Sequence, residues 1–322
     1  MCHLDIIRDL AVPLSARLLA DLFYLDLRTD ENPNGSLGAA ELYRHLLNLR
    51  IWGLNNTDPA QAWNRRRRAQ ESVRVIIDST LRLVRDVARS SRSSGLSISA
   101  ALSGLLSRGH GLKEGSLRSC GHRLVEELLA QNDSPEHVVD NLWLSAFGGA
   151  GIAVNSFHEV LSFFLDPEHA DLWAQVQDLA GKDDDDALRA YVVEAQRLTN
   201  PQRNVRIATQ PDELEGKKIQ PGNLVVLMLG EAGRNPADVP DADKFDAHRQ
   251  PAPVKPFSYG QHACLFEGLA LEFLTGLIKL AAGLGELRPA PGPAGQVKRI
   301  RVGPEMLYLN DSWSDLAFCI SS

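Results

Sequence analysis

The segment Phe257-Ser-Tyr-Gly260-Gln-His262-Ala-Cys264 runs directly into the apolar stretch Leu265 to Leu284, and no other feature constrains the chain as much. The spacing of the apolar residues predicts a helix over 265–284, so a cysteine closes a loop just before a helix N-terminus. There the partial positive charge of the helix end and the backbone N–H groups stabilise a thiolate, which is what an iron centre takes as a ligand. Cys264 is therefore the candidate axial ligand of a haem iron. Gly260 allows a positive φ or a close backbone approach to a flat macrocycle, Phe257 can shield the sulfur from water, and His262 can reach a haem propionate. The plain alternative is a buried cysteine at a helix start that holds nothing.

Upstream, Glu194-Ala-Gln-Arg197 lies in a helical pattern over about 186–198, where a carboxylate and a guanidinium one turn apart form a bidentate pair. Taken alone, such a pair is most often a solvated one. Pro236 to Arg249 follows as an irregular segment, and the meander and cysteine loop together run over about 234–264. Between pair and meander, Asn204 to Thr209 and Asn223 to Leu229 are short β-type runs divided by a turn at Pro221-Gly222. Further upstream a long helix is expected over about 135–165. Its run Gly148-Gly-Ala-Gly-Ile-Ala-Val-Asn155 carries glycines that suit either close approach to a flat ligand or tight helix packing, at about 1 kcal/mol of helix propensity each.

In order and spacing these pieces resemble the cytochrome P-450 superfamily, whose haem loop reads Phe-x-x-Gly-x-Arg/His-x-Cys-x-Gly. Here Phe266 replaces the last glycine. The resemblance implies haem b (iron protoporphyrin IX) on the Cys264 thiolate, and a structural triad of Glu194, Arg197 and Arg249. It also implies a propionate contact from Arg206, and a distal helix over 135–165 facing a proximal helix over 265–284. The acid and threonine that the family's monooxygenases place on the distal helix are missing, and Asn155 and Ser156 are the polar side chains available for catalysis. An asparagine there, with Asp5-Ile-Ile-Arg, Leu27 to Gly35, Glu41-Leu-Tyr43, Asp58-Pro59 and Ala290 to Ile300, resembles the carboxy-terminal domain of fungal linoleate diol synthases, or psi-factor-producing oxygenases. Those enzymes join a haem peroxidase to a P-450-like hydroperoxide isomerase.

The fold expected is mainly α with a small β-sheet, a partial cytochrome P-450-like fold in one domain over 1–322, with the family's early strands and helices missing. Helices are expected near 12–23, 38–52, 60–89, 97–107, 115–131, 135–165, 168–180, 186–198 and 265–284. The leading function is a haem-thiolate oxidoreductase on a fatty-acid-derived or other apolar substrate. It is either a hydroperoxide isomerase, with Phe147 and Ile152 walling the substrate, or a monooxygenase using Ser156 or water as proton relay. The isomerase implies an upstream peroxidase partner and the monooxygenase a reductase; the alternative is a degenerate relative that binds haem weakly or not at all. A net charge of −7 disfavours nucleic acid as partner, so Arg65 to Arg68 read as a solvated helix face. The amphipathic stretch from Leu10 to Tyr24 is too short to span a bilayer, and four cysteines without paired spacing suit the cytoplasm.

Overall fold

Three of the helices begin where a short polar side chain takes up one of the first free N–H groups. Ser116 accepts from Ser119 N, Ser134 from His137 N, and Asp184 from Ala187 N. Asp5 does the same for Ile7 and Arg8 at the start of a wide, π-helical turn over Ile6–Ala11. That turn leads into a helix whose second residue is Pro13, which has no N–H and whose ring crowds the carbonyl four residues back, so the wider turn precedes it. The computed structural model describes residues 2–54, 56, 58–93, 112–131, 133–200, 203–249, 257–258, 260–295, 299–301, 308–310 and 317–321. The helix expected over 97–107 lies outside them.

The described residues divide into two units. The first lies within Asp5–Val154 and is helical: α1 (Val12–Leu22), α2 (Ala39–Leu54), α3 (Pro59–Ser93), α4 (Leu117–Ala130) and α5 (Pro135–Gly149). Leu25, Leu42, Leu46, Ile76, Val138 and Leu142 are the centre of its core. At about 1.5–3 kcal/mol for each fully buried aliphatic side chain, this stripe rather than intrinsic propensity holds the helices together.

The second unit is built from Asn155–Arg301 with the terminal strands. It holds most of α6 (Ile152–Phe164), then α7 (Ala170–Gly181), α8 (Asp185–Thr199), the short α9 (Leu229–Ala232) and α10 (Glu267–Ala282). Phe157, Phe164, Val176, Val192, Leu274 and Ile278 are buried in it. Strand β1 (Cys2–Asp5) lies in a three-stranded sheet ordered β1, β9 (Ala317–Ser321), β6 (Glu286–Pro289). Further short strands are β7 (Arg299–Arg301) and β8 (Tyr308–Asn310), paired antiparallel. No described helix is long and apolar enough to cross a membrane.

Two expectations need correction. The helix expected over 135–165 is interrupted: α5 ends at Gly149, Ala150 is extended, Gly151 is left-handed at φ +84, and α6 starts at Ile152. Three glycines in four positions weaken the helix there, and only glycine adopts that φ without strain. The β-runs pair as β2 (Arg203–Ile207) with β5 (Leu224–Met228), from Arg203 opposite Met228 to Ile207 opposite Leu224. Pro221-Gly222 does not join them directly. An inner hairpin intervenes, β3 (Asp212–Leu214) with β4 (Lys217–Ile219), turned by Glu215 and Gly216, both at positive φ. Two successive positive φ values give a turn whose twist matches that of the strands.

Candidate functional site

Glu194 sits on the buried face of α8 with only 4% of its surface exposed. Arg197, one turn on, reaches it with Nη2 at 2.7 Å and Nε at 2.8 Å, the bidentate geometry in which a planar guanidinium binds a carboxylate most strongly. Arg249 adds Nε at 3.0 Å, and the backbone N–H of Asp246 donates at 3.1 Å. Burial pushes the Glu194 carboxyl up, and the hydrogen bonds from Arg197 and Arg249 together outweigh it, so the pKa ends below the ordinary value of 4.5.

The two arginines spend their remaining donors on the backbone of the irregular segment. Arg197 donates to the carbonyls of Gly233, Ala242 and Lys244, and Arg249 to those of Pro240, Asp241 and Lys244. Phe245 stacks on Phe163 at 5.9 Å and lies 5.4 Å from the Tyr191 ring. A segment without helix or strand leaves its carbonyls unpaired, and a cation anchored on a buried carboxylate satisfies several at once.

The cysteine loop is built differently. Gly260 has φ +65 and opens a single 3₁₀ turn through His262. Ala263 N then donates to Gly260 O at 3.1 Å, and Cys264 N to Phe257 O at 2.9 Å, which closes the loop. Cys264 is a free, exposed cysteine, His262 is exposed, and Phe257 is half-buried. α10 begins at Glu267 rather than Leu265. Phe266 occupies its N-cap position with no side-chain hydrogen bond to the first turn.

Large apolar side chains stand bare in the same unit: Leu265 is 93% exposed, and Ile207, Leu224, Leu227 and Met228 on the β2–β5 ribbon are exposed as well. Arg206, on β2, is exposed and donates to the neighbouring Val205 carbonyl at 3.0 Å. On α6, Asn155 and Ser156 are half-buried, and Asn155 Oδ1 is a buried acceptor with no hydrogen-bond partner. Leaving such an atom unsatisfied costs about 1–3 kcal/mol, and Ser162 Oγ and Thr275 Oγ1 of the same unit are left so as well. An exposed thiol, bare apolar surface and an orphaned amide oxygen in one unit suit an apolar iron macrocycle and a polar reactant. Among the described residues no group of three or more His, Cys, Asp or Glu is gathered as a metal centre, but haem iron asks a protein for only one or two ligands.

Sequence reasoning missed one group, at the break before α6. Arg50 of α2 donates Nη1 to Gly148 O at 2.7 Å, so a guanidinium takes up a carbonyl that the end of α5 leaves free. Burial pushes the Arg50 pKa down to about 10, and burial likewise raises that of Tyr43 on the same helix. The glycines beside it are not alike. A Cβ on Gly149 would meet Leu19 at 2.9 Å and one on Gly151 would meet Leu47 at 3.0 Å, whereas Gly148 has open space. Tight packing thus accounts for two of the three. The available signal was an arginine directly after the apolar stripe from Leu42 to Leu49.

Comparison with known proteins adds three findings. Residues 186–278 match the family profile described as Cytochrome P450, a span that contains Glu194, Arg197, Arg249 and Cys264. Over 97% of its length the chain is 27% identical to Psi-producing oxygenase A of Emericella nidulans, and over 98% it is 24% identical to the Bifunctional dioxygenase (DOX)-epoxy alcohol synthase (EAS) of Fusarium oxysporum. It spans only 29% and 25% of those two proteins. Among solved structures, that of CalO2 superposes with TM-score 0.66 at 21% identity, covering 99% of this chain and 68% of that one. P450BioI, in complex with hexadec-9Z-enoic acid ligated acyl carrier protein, gives 0.65 at 19% identity over 99% and 69%. At these identities the solved structures establish the fold, part of a cytochrome P450.

Proposed function

We propose that this chain, a relative of the cytochrome P450 superfamily with part of its fold, holds haem through the Cys264 thiolate and rearranges a fatty-acid-derived hydroperoxide. The observation that carries the reading is the unpartnered Asn155 Oδ1, a buried acceptor on α6 where the family's monooxygenases have an acid and a threonine. A hydroperoxide O–H is a donor of the right kind for that oxygen. With the amide turned over, its NH₂ donates to the distal oxygen instead. In either orientation one fixed hydrogen bond selects which oxygen faces the reacting centre, which is orientation rather than acid–base work.

Haem, when bound, supplies the cleavage of the O–O bond. The chain's own residues do the rest. Cys264 offers the ligand from a loop closed by its own N–H and by Gly260. Glu194, through Arg197 and Arg249, holds the backbone that leads toward that loop. His262 and Arg206 are exposed cations or donors suited to propionates. The bare apolar side chains of the β2–β5 ribbon, with Leu265 and Phe266 beside the thiolate, are apolar surface for the macrocycle to cover.

One of the relatives is a dioxygenase joined to an epoxy alcohol synthase. An epoxy alcohol is an isomer of an unsaturated hydroperoxide: the O–O bond breaks, both oxygens stay in the product, and no external electrons are needed. Rearrangement therefore calls for an enzyme that forms the hydroperoxide as partner, and for no reductase.

The test has two parts. The reduced, carbon-monoxide-bound protein is expected to give the strongly red-shifted Soret band of thiolate-ligated haem. It is also expected to consume a fatty-acid hydroperoxide without dioxygen, reductase or nicotinamide cofactor. A protein with the band that is inert to hydroperoxides, yet oxidises an apolar substrate with a reductase, is a monooxygenase. A protein that takes up no haem is the degenerate relative.

A further inference from the structure

Arg50 is a half-buried cation whose charge no described carboxylate answers. Its Nη1 donates to Gly148 O at 2.7 Å, and among the described residues it forms no ion pair. Elsewhere the chain gives its buried arginines a counter-charge: Arg118 lies 3.6 Å from Asp21, and Arg197 and Arg249 share Glu194. The phenol of Tyr43, two turns before Arg50 on α2, brings none, because burial raises its pKa and keeps it protonated at neutral pH. Burial pushes the Arg50 pKa down to about 10, yet the guanidinium stays charged at neutral pH. One carbonyl on one N–H group leaves the other donors and the whole charge for an anion.

The seam between α2 and the end of α5 leaves room for one. A Cβ on Gly151 would meet Leu47 at 3.0 Å and the Arg50 Cδ and Nε at 3.4 and 3.6 Å, so the helix break packs against the stem of that side chain. Nearly one turn further along α2, a Cβ on Gly53 would lie 3.2 Å from the Phe147 ring. Gly148, whose carbonyl holds the guanidinium, has open space where a Cβ would stand. Packing therefore closes the seam on either side of Gly148 and leaves it open there. Helical spacing sets apolar side chains beside the opening. Phe147 is half-buried, Leu144 one turn before Gly148 is 48% exposed, and Leu54 one turn beyond Arg50 is 53% exposed.

We propose that Arg50 anchors the carboxylate of a fatty acyl chain, which runs on over Phe147, Leu144 and Leu54. A carboxylate fits a planar guanidinium through two parallel hydrogen bonds. A small inorganic anion leaves the apolar side chains uncovered, and an uncharged acyl chain leaves the guanidinium uncompensated. Anchoring one end of a flexible chain restricts which of its carbons can react. The class of ligand rests on the proposed reaction, whose substrate derives from a fatty acid; the binding itself needs neither haem nor turnover.

The experiment is calorimetric titration of the whole chain with three probes. Decanoate has both charge and chain, 1-decanol the chain alone, and acetate the charge alone. The wild type is expected to bind decanoate about thirtyfold tighter than decanol, and acetate far more weakly than either. Arg50→Gln should cut the preference for decanoate over decanol to about threefold or less, and Arg50→Lys, which keeps the charge without the fork, should fall between. Gly148→Ala is the second variant, since a methyl there meets no neighbour and favours the helix. It should weaken decanoate binding severalfold at a urea midpoint no lower than that of the wild type. The proposal is overturned if the wild type takes decanol or acetate as tightly as decanoate, or if the preference survives Arg50→Gln. Where Arg50→Gln does not fold, unchanged decanoate binding in Gly148→Ala overturns it. Haem-loaded protein that rearranges a hydroperoxide methyl ester as readily as the free acid overturns the anchor and leaves the reaction standing. Decanoate binding that needs Arg50, in a protein inert to hydroperoxides, supports the anchor and removes the reaction.

Discussion

Glu194 and Asn155 are polar residues on helices of the same unit, and the chain treats them in opposite ways. Each carboxylate oxygen of Glu194 has a donor, and the two arginines that supply most of them pass their other N–H groups to six backbone carbonyl contacts. Asn155 presents a buried oxygen with no donor among the described residues, and Cys264 presents an exposed thiol on a loop closed by backbone bonds. A region that completes its own hydrogen bonds is scaffold. One that leaves groups unsatisfied at a desolvation cost has hydrogen-bonding capacity to spare, which is what the proposed function uses.

The largest expected effect breaks the open side of this comparison. Cys264→Ser should abolish the thiolate signature in the reduced carbon-monoxide spectrum while helical content by circular dichroism stays as it is, since serine does not ionise at neutral pH and the side chain is exposed. A spectrum unchanged in the mutant would remove Cys264 as ligand.

Next comes the closed side. Glu194→Ala leaves two guanidiniums facing each other without their carboxylate, and the expected loss is about 3–5 kcal/mol, read as a fall in urea midpoint or as insoluble protein. A wild-type midpoint would mean that the triad holds nothing in place.

Asn155→Leu should act the other way round. Removing an orphaned acceptor should leave the unfolding free energy from urea titration within about 1 kcal/mol of wild type, while hydroperoxide turnover falls about 10²–10³-fold and the haem spectrum persists. Loss of stability with turnover intact would make Asn155 a scaffold residue and erase the contrast.

The smallest effect is a pH dependence. Because the folded pKa of Glu194 is depressed, its contribution to stability is fully present above the ordinary value of 4.5 and is lost as pH falls through the folded value below that. Glu194→Gln should therefore flatten the decline of the urea midpoint in that acid range. An identical decline in wild type and mutant would assign acid sensitivity to other carboxylates.

Much of the helical frame could be read along the chain. Apolar spacing, the caps Ser116 and Ser134, and Asp184 within the run Asp183 to Asp186 are local signals, and α1, α2, α3 and α4 of the first unit lie within a few residues of where the spacing puts them, whereas α5 stops well short of the expected end. Glu194, Arg197 and Arg249 could be named because a helix turn separates two of them and an irregular segment ends at the third. Their convergence, however, depends on a fold that brings residue 249 back to residue 194. The hairpin turn at Glu215-Gly216 was missed because Pro221-Gly222 is a stronger turn signal lying close by. Strands β1, β6 and β9 were missed because four or five residues carry too little periodicity, and their sheet joins the two ends of the chain.

By itself the sequence determined the helical class, the cysteine before a helix start and the resemblance to cytochrome P450, because periodicity, capping and motif spacing act between near neighbours. Only the tertiary structure decided that the 135–165 stretch breaks at Gly151, that Arg50 takes up the free carbonyl of Gly148, and that Asn155 Oδ1 has no donor among the described residues. Each of these turns on which distant atoms exclude water from a polar group and which of them can hydrogen-bond to it. Those are consequences of burial, and burial exists only once the chain has packed.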